Sequence, residues 1–280
     1  MGPLVSAEAV AENLRDWRIV DCRHDLRNLD YGAQAYAKGH IPGAVFLHMD
    51  RDLSGELTGS NGRHPLPSRE AFAAVLSANG IGPDTQVVAY DNESGIFASR
   101  FWWMLRWLGH PADKAAVLNG CLPAWKRAKL PLEVDVPDYP FVPYPLRCGD
   151  EPVDIAEVLG VFNTPDALLL DARAEDRFAG ENETLDPVGG HIPGAVNRFY
   201  FDNLDDAGVY FKSADELREE YTVLLAGRQP RQVIQQCGSG VTACHNLLAM
   251  EAAGLTGSRL YVGSWSEWCS DPSRPVATGP

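Results

Sequence analysis

The sequence predicts an α/β protein made of two tandem domains, each a mostly parallel sheet flanked by helices. Short apolar runs, typical of buried strands, alternate with segments whose apolar positions recur at helical spacing. Four sequence landmarks also occur twice in the same order, which is the pattern that a duplicated domain leaves. At 280 residues the chain can hold two domains of ordinary size.

The duplicated landmarks define the domain organisation. They are a strand that ends in Asp-x-Arg (residues 19–23 and 169–173), a Gly-His-Ile-Pro-Gly-Ala-Val turn (39–45 and 190–196), a further apolar strand (86–91 and 232–237) and a tryptophan-bearing segment (119–125 and 262–268). We assign residues 1–129 to a first domain and residues 151–280 to a second. Five prolines in residues 130–150 exclude a helix or a central strand, so we expect an ordered, extended linker there.

The first half illustrates the predicted order of elements. We predict strands over residues 18–21, 44–47 and 86–90, and helices over 33–38, 68–79 and 96–108, with Ser68 as a helix N-cap. In the second half a buried strand ends just before Cys237, and a helix spans 243–252. Ligands bind at the carboxyl ends of parallel strands. Cys237 and, in the first half, Asp91 both lie at such an end.

Composition limits the partners and the compartment. A net charge of −14 argues against nucleic acid and anionic membranes, although a local site can still bind a small anion. We find no secretory signal and no apolar run long enough to span a membrane. The six cysteines are scattered, without zinc spacing, which favours free thiols in a reducing cytoplasm. No phosphate-binding loop or dinucleotide motif implies a cofactor.

The loop after Cys237 is the strongest functional signal. Gly238 and Gly240 let the backbone bend close to the cysteine, and a helix begins directly afterwards. Backbone N–H groups and the positive end of a helix dipole then point at one place, where they would stabilise a thiolate. The matching position of the first half holds Asp91, so we expect the first domain to be inactive.

The paired histidines, His40 and His191, admit a catalytic or a structural interpretation. Both halves contain the Gly-His-Ile-Pro-Gly-Ala turn, but only one half contains the cysteine. We therefore interpret the histidines as part of the turn, where they bind backbone groups at the entry to a strand.

The loop 237–244, the doubled His-Ile-Pro-Gly-Ala motif and the segment 263–268 together resemble the two-domain rhodanese superfamily of sulfurtransferases. Within it, the chain is most similar to the members that act on 3-mercaptopyruvate. The resemblance implies that Cys237 takes sulfur from a small-molecule donor as a persulfide, which passes to thioredoxin, glutathione, another thiol or cyanide. The loop residues that would hold the donor are Gly238, Gly240, Val241 and Thr242.

The same resemblance implies residues for proton handling and for carboxylate binding. Ser239, His64 and Asp50 match the serine, histidine and aspartate that handle protons on 3-mercaptopyruvate, with the last two in the first half. Arg177 matches an arginine that binds the donor carboxylate, as a guanidinium fork can.

Such enzymes usually carry a second arginine before the His-Ile-Pro-Gly turn, but residues 181–187 contain none. Arg198 and Arg100 are the two candidates to replace it.

Three alternative functions remain to be weighed. A thiosulfate sulfurtransferase typically has basic residues after the cysteine, whereas the neutral Gly238 and Ser239 favour a 3-mercaptopyruvate enzyme. A phosphatase of this fold needs a longer loop that ends in an arginine, and Thr242 to Cys244 offer none. The intact loop argues against a catalytically silent binding module.

Overall fold

The computed structural model describes residues 1–280, and the chain divides into two compact units. The first comprises Met1–Gly55, Leu66–Asp150 and Asp205–Phe211, and the second comprises Glu56–Pro65, Glu151–Leu204 and Lys212–Pro280. The segment Glu56–Pro65, predicted to lie in the first domain, therefore belongs to the second unit. The segment Asp205–Phe211, predicted to lie in the second domain, belongs to the first unit. Neither segment carries a repeated landmark, because both are loops between the repeated elements, so the sequence pattern offered no sign of the exchange.

The first unit contains a five-stranded sheet whose paired strands are all parallel, in the order β1-β5-β4-β2-β3. Its strands are β1 (Leu4–Val5), β2 (Arg18–Asp21), β3 (Val45–Phe46), β4 (Val87–Tyr90) and β5 (Ala115–Leu118). Its helices are α1 (Ala7–Glu12), α2 (Tyr31–Lys38), α3 (Met49–Asp52), α4 (Arg69–Ala78), α5 (Ile96–Trp107) and α6 (Cys121–Arg127). As predicted, the Ser68 side chain caps α4 by accepting the Ala71 N–H.

The second unit repeats this plan with four parallel strands in the order β7-β6-β8-β9. Its strands are β6 (Leu168–Asp171), β7 (Val196–Asn197), β8 (Val233–Gln236) and β9 (Arg259–Leu260). Its helices are α7 (Ile155–Val161), α8 (Glu175–Ala179), α9 (Ala214–Leu225), α10 (Thr242–Ala252) and α11 (Ser264–Trp268). The predicted fold class, two parallel sheets flanked by helices, is confirmed.

Strand pairing places the two loops of interest at equivalent points. All four residues of β4 are buried, and so are all four of β8. Asp21 pairs with Tyr90 in the first sheet, and Asp171 pairs with Gln236 in the second. The next residues, Asp91 and Cys237, therefore both leave the carboxyl end of an interior strand, where ligands of parallel sheets bind.

The paired histidines make the same contacts in each unit. Each ring stacks on an aromatic ring, Tyr36 for His40 and Phe178 for His191, with centroids 3.8 and 3.7 Å apart. Each Nδ1 also lies 2.9 Å from the carbonyl oxygen of that same aromatic residue. These contacts support the interpretation that the histidines fix a turn.

The proline-rich linker is ordered and packs on the first unit. Residues 134–150 contain no helix or strand. The Val142 N–H donates to the Ser77 carbonyl (3.0 Å), and the Tyr139 hydroxyl donates to the Gly43 carbonyl (2.8 Å). Arg18 lies over the Tyr139 ring. These contacts replace the sheet and helix hydrogen bonds that the prolines prevent. None of the helices in either unit has the length and apolar character that crossing a membrane requires.

Candidate active site

Hydrogen bonds from the first turn of α11 fix the conformation of the loop after β8. The Cys237 and Gly238 carbonyls accept N–H groups of Trp265 and Ser266, each at 2.9 Å, and the Cys237 N–H donates to the Ser264 hydroxyl (3.1 Å). Gly240 has a φ of +75°, and a Cβ there would lie 2.4 Å from the Val262 carbonyl oxygen. Only glycine fits that position, as its place in the sequence pattern suggests.

The first unit shows what such a loop does for an anion. The Asp91 carboxylate accepts four backbone N–H groups at 2.9–3.2 Å, from Glu93, Gly95, Phe97 and Ala98. The carboxylate thus occupies the anion cradle of its own loop, as expected for an inactive domain. The matching loop of the second unit has Cys237 at the equivalent position, directly after its interior strand.

We expect Asp91→Ala to lower the free energy of unfolding of the protein by about 2–4 kcal/mol, because four backbone N–H groups, three of them in buried hydrogen bonds, lose their acceptor. Chemical denaturation followed by circular dichroism measures this difference. Asp16→Ala is the matched control, since Asp16 is exposed and its carboxylate makes no hydrogen bond. Equal stabilities of the two variants would contradict the role of Asp91.

A serine and a histidine form a hydrogen-bonded pair beside the cysteine. His64 Nδ1 lies 2.7 Å from the Ser239 hydroxyl oxygen, and both residues are buried. When the neutral imidazole carries its proton on Nε2, its Nδ1 accepts a hydrogen bond from the hydroxyl group. When the ring is an imidazolium, Nδ1 donates a hydrogen bond to the hydroxyl oxygen instead. His64 belongs to the segment Glu56–Pro65, so the structure places it in the second unit, although it precedes the linker.

Two arginines converge on Gly238, next to the cysteine. A Cβ on Gly238 would lie 2.7 Å from Arg63 Nη2 and 3.5 Å from Arg177 Nη2. Any side chain at this position would therefore displace a guanidinium group. Arg177 is the predicted carboxylate-binding residue, whereas sequence reasoning missed Arg63. The Gly-Arg-His-Pro motif that contains it is the only available signal.

Two buried carboxylates orient these arginines. Arg177 Nη2 and Nε donate to Glu183 at 2.8–3.1 Å, and Arg177 Nη2 also lies 3.6 Å from Asp186. Arg63 Nη1 donates to Asp186. Burial raises the pKa of Glu183, but the hydrogen bonds from Arg177 and the Leu185 N–H outweigh it and hold this pKa below its ordinary value. Glu183 is therefore a carboxylate at neutral pH.

Burial makes three of the other cysteines poor nucleophiles, because it raises the pKa of their thiols. Burial raises the pKa of the Cys22 and Cys121 thiols well above the ordinary value, and nearby acidic groups add to this rise. Burial, with Asp186 nearby, raises the pKa of Cys269 to about 11. The Cys244 thiol donates to the Gly240 carbonyl at 3.3 Å, which suits a structural cysteine.

The structure brings most of the predicted residues together in the second unit, in and around the loop at Cys237. They are Cys237, Gly238, Ser239, Gly240, Val241, Thr242, Arg177 and His64. Asp50 lies in the first unit, 3.8 Å from His24 Nε2 and 3.9 Å from His48 Nδ1. Its role in proton handling stays a prediction.

The two predicted replacements for the second arginine lie elsewhere. The Arg198 guanidinium donates to Glu220 of α9 at 2.5 Å and to Asn203 at 3.0 Å. It therefore packs against α9. Arg100 is fully buried within α5 of the first unit. Neither residue takes the place beside Gly238, and Arg63 does.

Comparisons with known proteins agree with this architecture. The family model of the rhodanese-like domain matches residues 6–128 and 154–271. A Pseudomonas aeruginosa protein named "Probable 3-mercaptopyruvate sulfurtransferase" is 45% identical over 99% of this chain and 98% of its own. A thiosulfate sulfurtransferase of the same organism is 34% identical over 87% of this chain and 88% of its own. The solved structure of 3-mercaptopyruvate sulfurtransferase from Leishmania major superposes with a TM-score of 0.85 at 34% identity, covering 95% of this chain and 74% of that one.

Proposed function

This chain belongs to the rhodanese-like family, with two copies of the domain, and we propose that it is a sulfurtransferase which takes sulfur from 3-mercaptopyruvate through a persulfide on Cys237. The function rests on the second domain. The first domain holds a carboxylate, Asp91, where the second holds the cysteine.

The first step forms the persulfide and releases pyruvate. The Cys237 thiolate attacks the donor sulfur and forms an S–S bond, while the bond between that sulfur and the donor methylene breaks. The electron pair of the broken bond becomes the enolate of pyruvate, and the proton from the donor thiol ends on the methylene carbon. The persulfide anion then lies in the N–H cradle of residues 238–243.

The Ser239–His64 pair is the observation that favours 3-mercaptopyruvate over thiosulfate as the donor. Cleavage of a carbon–sulfur bond requires a proton at carbon, and a hydroxyl held 2.7 Å from an imidazole can relay it. Thiosulfate, by contrast, loses sulfite by cleavage of a sulfur–sulfur bond and needs no proton at carbon. The pair is therefore useful for 3-mercaptopyruvate and dispensable for thiosulfate.

Arg177 binds the donor carboxylate in this proposal. It lies beside Gly238, one residue from the nucleophile, and its Nη1 makes no hydrogen bond to Glu183. The donor carboxylate is separated from the reacting sulfur by only two carbon atoms, so a cation next to Cys237 is correctly placed.

The second step returns the enzyme to its starting state. An acceptor thiolate or a cyanide ion attacks the outer sulfur, the persulfide bond breaks, and its electron pair returns to Cys237 as thiolate. Thioredoxin, glutathione and cyanide are the proposed acceptors. The sulfur travels covalently on Cys237, so this mechanism uses no separate cofactor. Free thiols at all six cysteines suit a reducing compartment, and we propose the cytoplasm.

A steady-state assay with the two donors tests the proposed function. We expect kcat/KM for 3-mercaptopyruvate to exceed that for thiosulfate by at least about tenfold, because only the former uses the Ser239–His64 pair. The acceptor is held constant, and pyruvate and sulfite are measured as the two products. A higher kcat/KM for thiosulfate would replace the proposal with thiosulfate sulfurtransferase activity, the function named for the second relative.

A further inference from the structure

We propose that Arg63 is a second residue that binds the donor carboxylate, held beside Arg177 by the buried Asp186. This inference rests on the proposed function, because it concerns the same donor. It adds to that function a second arginine for the donor carboxylate, which residues 181–187 do not supply.

The guanidinium group of Arg63 lies beside Gly238, next to Cys237. Arg63 Nη2 would lie 2.7 Å from a Cβ on Gly238, closer than either terminal nitrogen of Arg177. The Arg63 N–H also donates to the Ser266 hydroxyl at 3.1 Å, so its backbone is tied to α11, which holds the loop. Arg63 thus faces the space next to Cys237 from a fixed point of the chain.

Each of the two guanidinium groups uses only some of its nitrogens to bind its carboxylate partner. Arg63 uses Nη1 for Asp186, which leaves Nη2 directed at Gly238. Arg177 uses Nε and Nη2 for Glu183, which leaves Nη1. A guanidinium group has five N–H donors, so both arginines keep donors for a ligand after binding their carboxylate partners.

The two carboxylates are more deeply buried than the two arginines that they bind. The Asp186 and Glu183 side chains are 2% and 4% exposed, whereas those of Arg63 and Arg177 are 29% and 20% exposed. The carboxylates lie underneath and the guanidinium groups lie on the open side. Such an arrangement preorganises two forks for one small anion and lowers the cost of ordering them on binding.

The test compares two donors that differ only in the carboxylate. Mercaptoacetone has a methyl group where 3-mercaptopyruvate has its carboxylate. We expect Arg63→Met to raise KM for 3-mercaptopyruvate roughly tenfold or more, with kcat changed less, and to leave KM for mercaptoacetone within about twofold. Arg63→Lys, which keeps the charge but not the fork, should recover part of the loss. Arg231→Met, at an exposed arginine of the same unit, is the matched control.

A second variant separates a loss of carboxylate binding from a loss of local structure. Arg63→Met leaves Asp186 buried beside one arginine fewer, and this destabilises the local structure. The double variant Arg63→Met/Asp186→Asn removes both charges and should show the same loss that is confined to 3-mercaptopyruvate. Equal changes with the two donors in both variants would overturn the proposal, because a purely structural role does not distinguish a carboxylate from a methyl group.

Binding of pyruvate separates this proposal from the proposed function. Pyruvate carries the carboxylate but transfers no sulfur, so calorimetry with pyruvate reports carboxylate binding without turnover. Weaker binding of pyruvate to Arg63→Met supports the role of Arg63, whichever donor the wild-type enzyme prefers. Unchanged binding rejects that role, even if 3-mercaptopyruvate is the preferred donor.

Discussion

Cys237→Ser abolishes sulfur transfer from both 3-mercaptopyruvate and thiosulfate, with an expected loss of about 1,000-fold or more in kcat. A serine hydroxyl fits the same loop, but it is neither ionised at neutral pH nor able to form a persulfide. Steady-state assays with each donor measure the loss. Mass spectrometry of the intact protein after incubation with donor alone should show one added sulfur atom on the wild type and none on Cys237→Ser.

A matched control exists for this experiment. Cys148 is the one exposed cysteine, and Cys148→Ser should retain both the activity and the added sulfur. Turnover that survives in Cys237→Ser would show that another group is the nucleophile. The raised pKa values of Cys22 and Cys121 make either of these an improbable replacement.

Ser239→Ala should lower kcat/KM for 3-mercaptopyruvate by about 100-fold and that for thiosulfate by less than about fivefold. The physical reason is that only the carbon-based donor needs a proton at the departing carbon. The two donors are assayed with the same acceptor. Ser270→Ala is the control, because Ser270 is exposed and its hydroxyl donates only to the Glu267 carbonyl. Equal losses with both donors would remove the role of Ser239 in proton transfer.

His64 extends this prediction to the pair. We expect His64→Gln to reproduce the donor-selective loss, and the double variant Ser239→Ala/His64→Gln to be little worse than either single variant. Groups that act as a unit are non-additive in this way, since the relay already fails when one member is lost. Additive losses would show that the hydrogen bond between the two side chains is not used in catalysis.

Much of the fold and part of the site could be predicted from local pattern. The repeated landmarks and the alternation of apolar strands with amphipathic segments are short-range features, and they predicted two parallel sheets, confirmed here. The position of Cys237 at a strand end was also predictable, because it depends only on neighbouring residues. The prediction that the loop at Asp91 is inactive followed from the internal repeat.

Contacts between residues that are far apart in the sequence were harder to predict. Ser239 and His64 are 175 positions apart, and Arg63 and Asp186 are 123 apart. The resemblance to a known family suggested the first pair. For the second pair, the only signal was that Arg63 lies in the Gly-Arg-His-Pro motif, and a charged residue in a loop is most often only solvated. Arg198 and Arg100, the two candidates for a second arginine, instead lie against Glu220 and within α5, and the reason is again long-range packing.

The sequence by itself thus determined the two-domain α/β architecture, and it predicted Cys237 as the nucleophile and the first loop as inactive. These follow from hydrophobic periodicity, glycine positions and residue identity, which act over a few neighbouring residues. Only the tertiary structure decided that the segment Glu56–Pro65 packs into the second unit, and that it brings His64 to Ser239 and Arg63 to Gly238. The reason is that a loop has no periodicity to reveal its docking site, which is set by contacts with residues more than one hundred positions away, among them the buried Asp186.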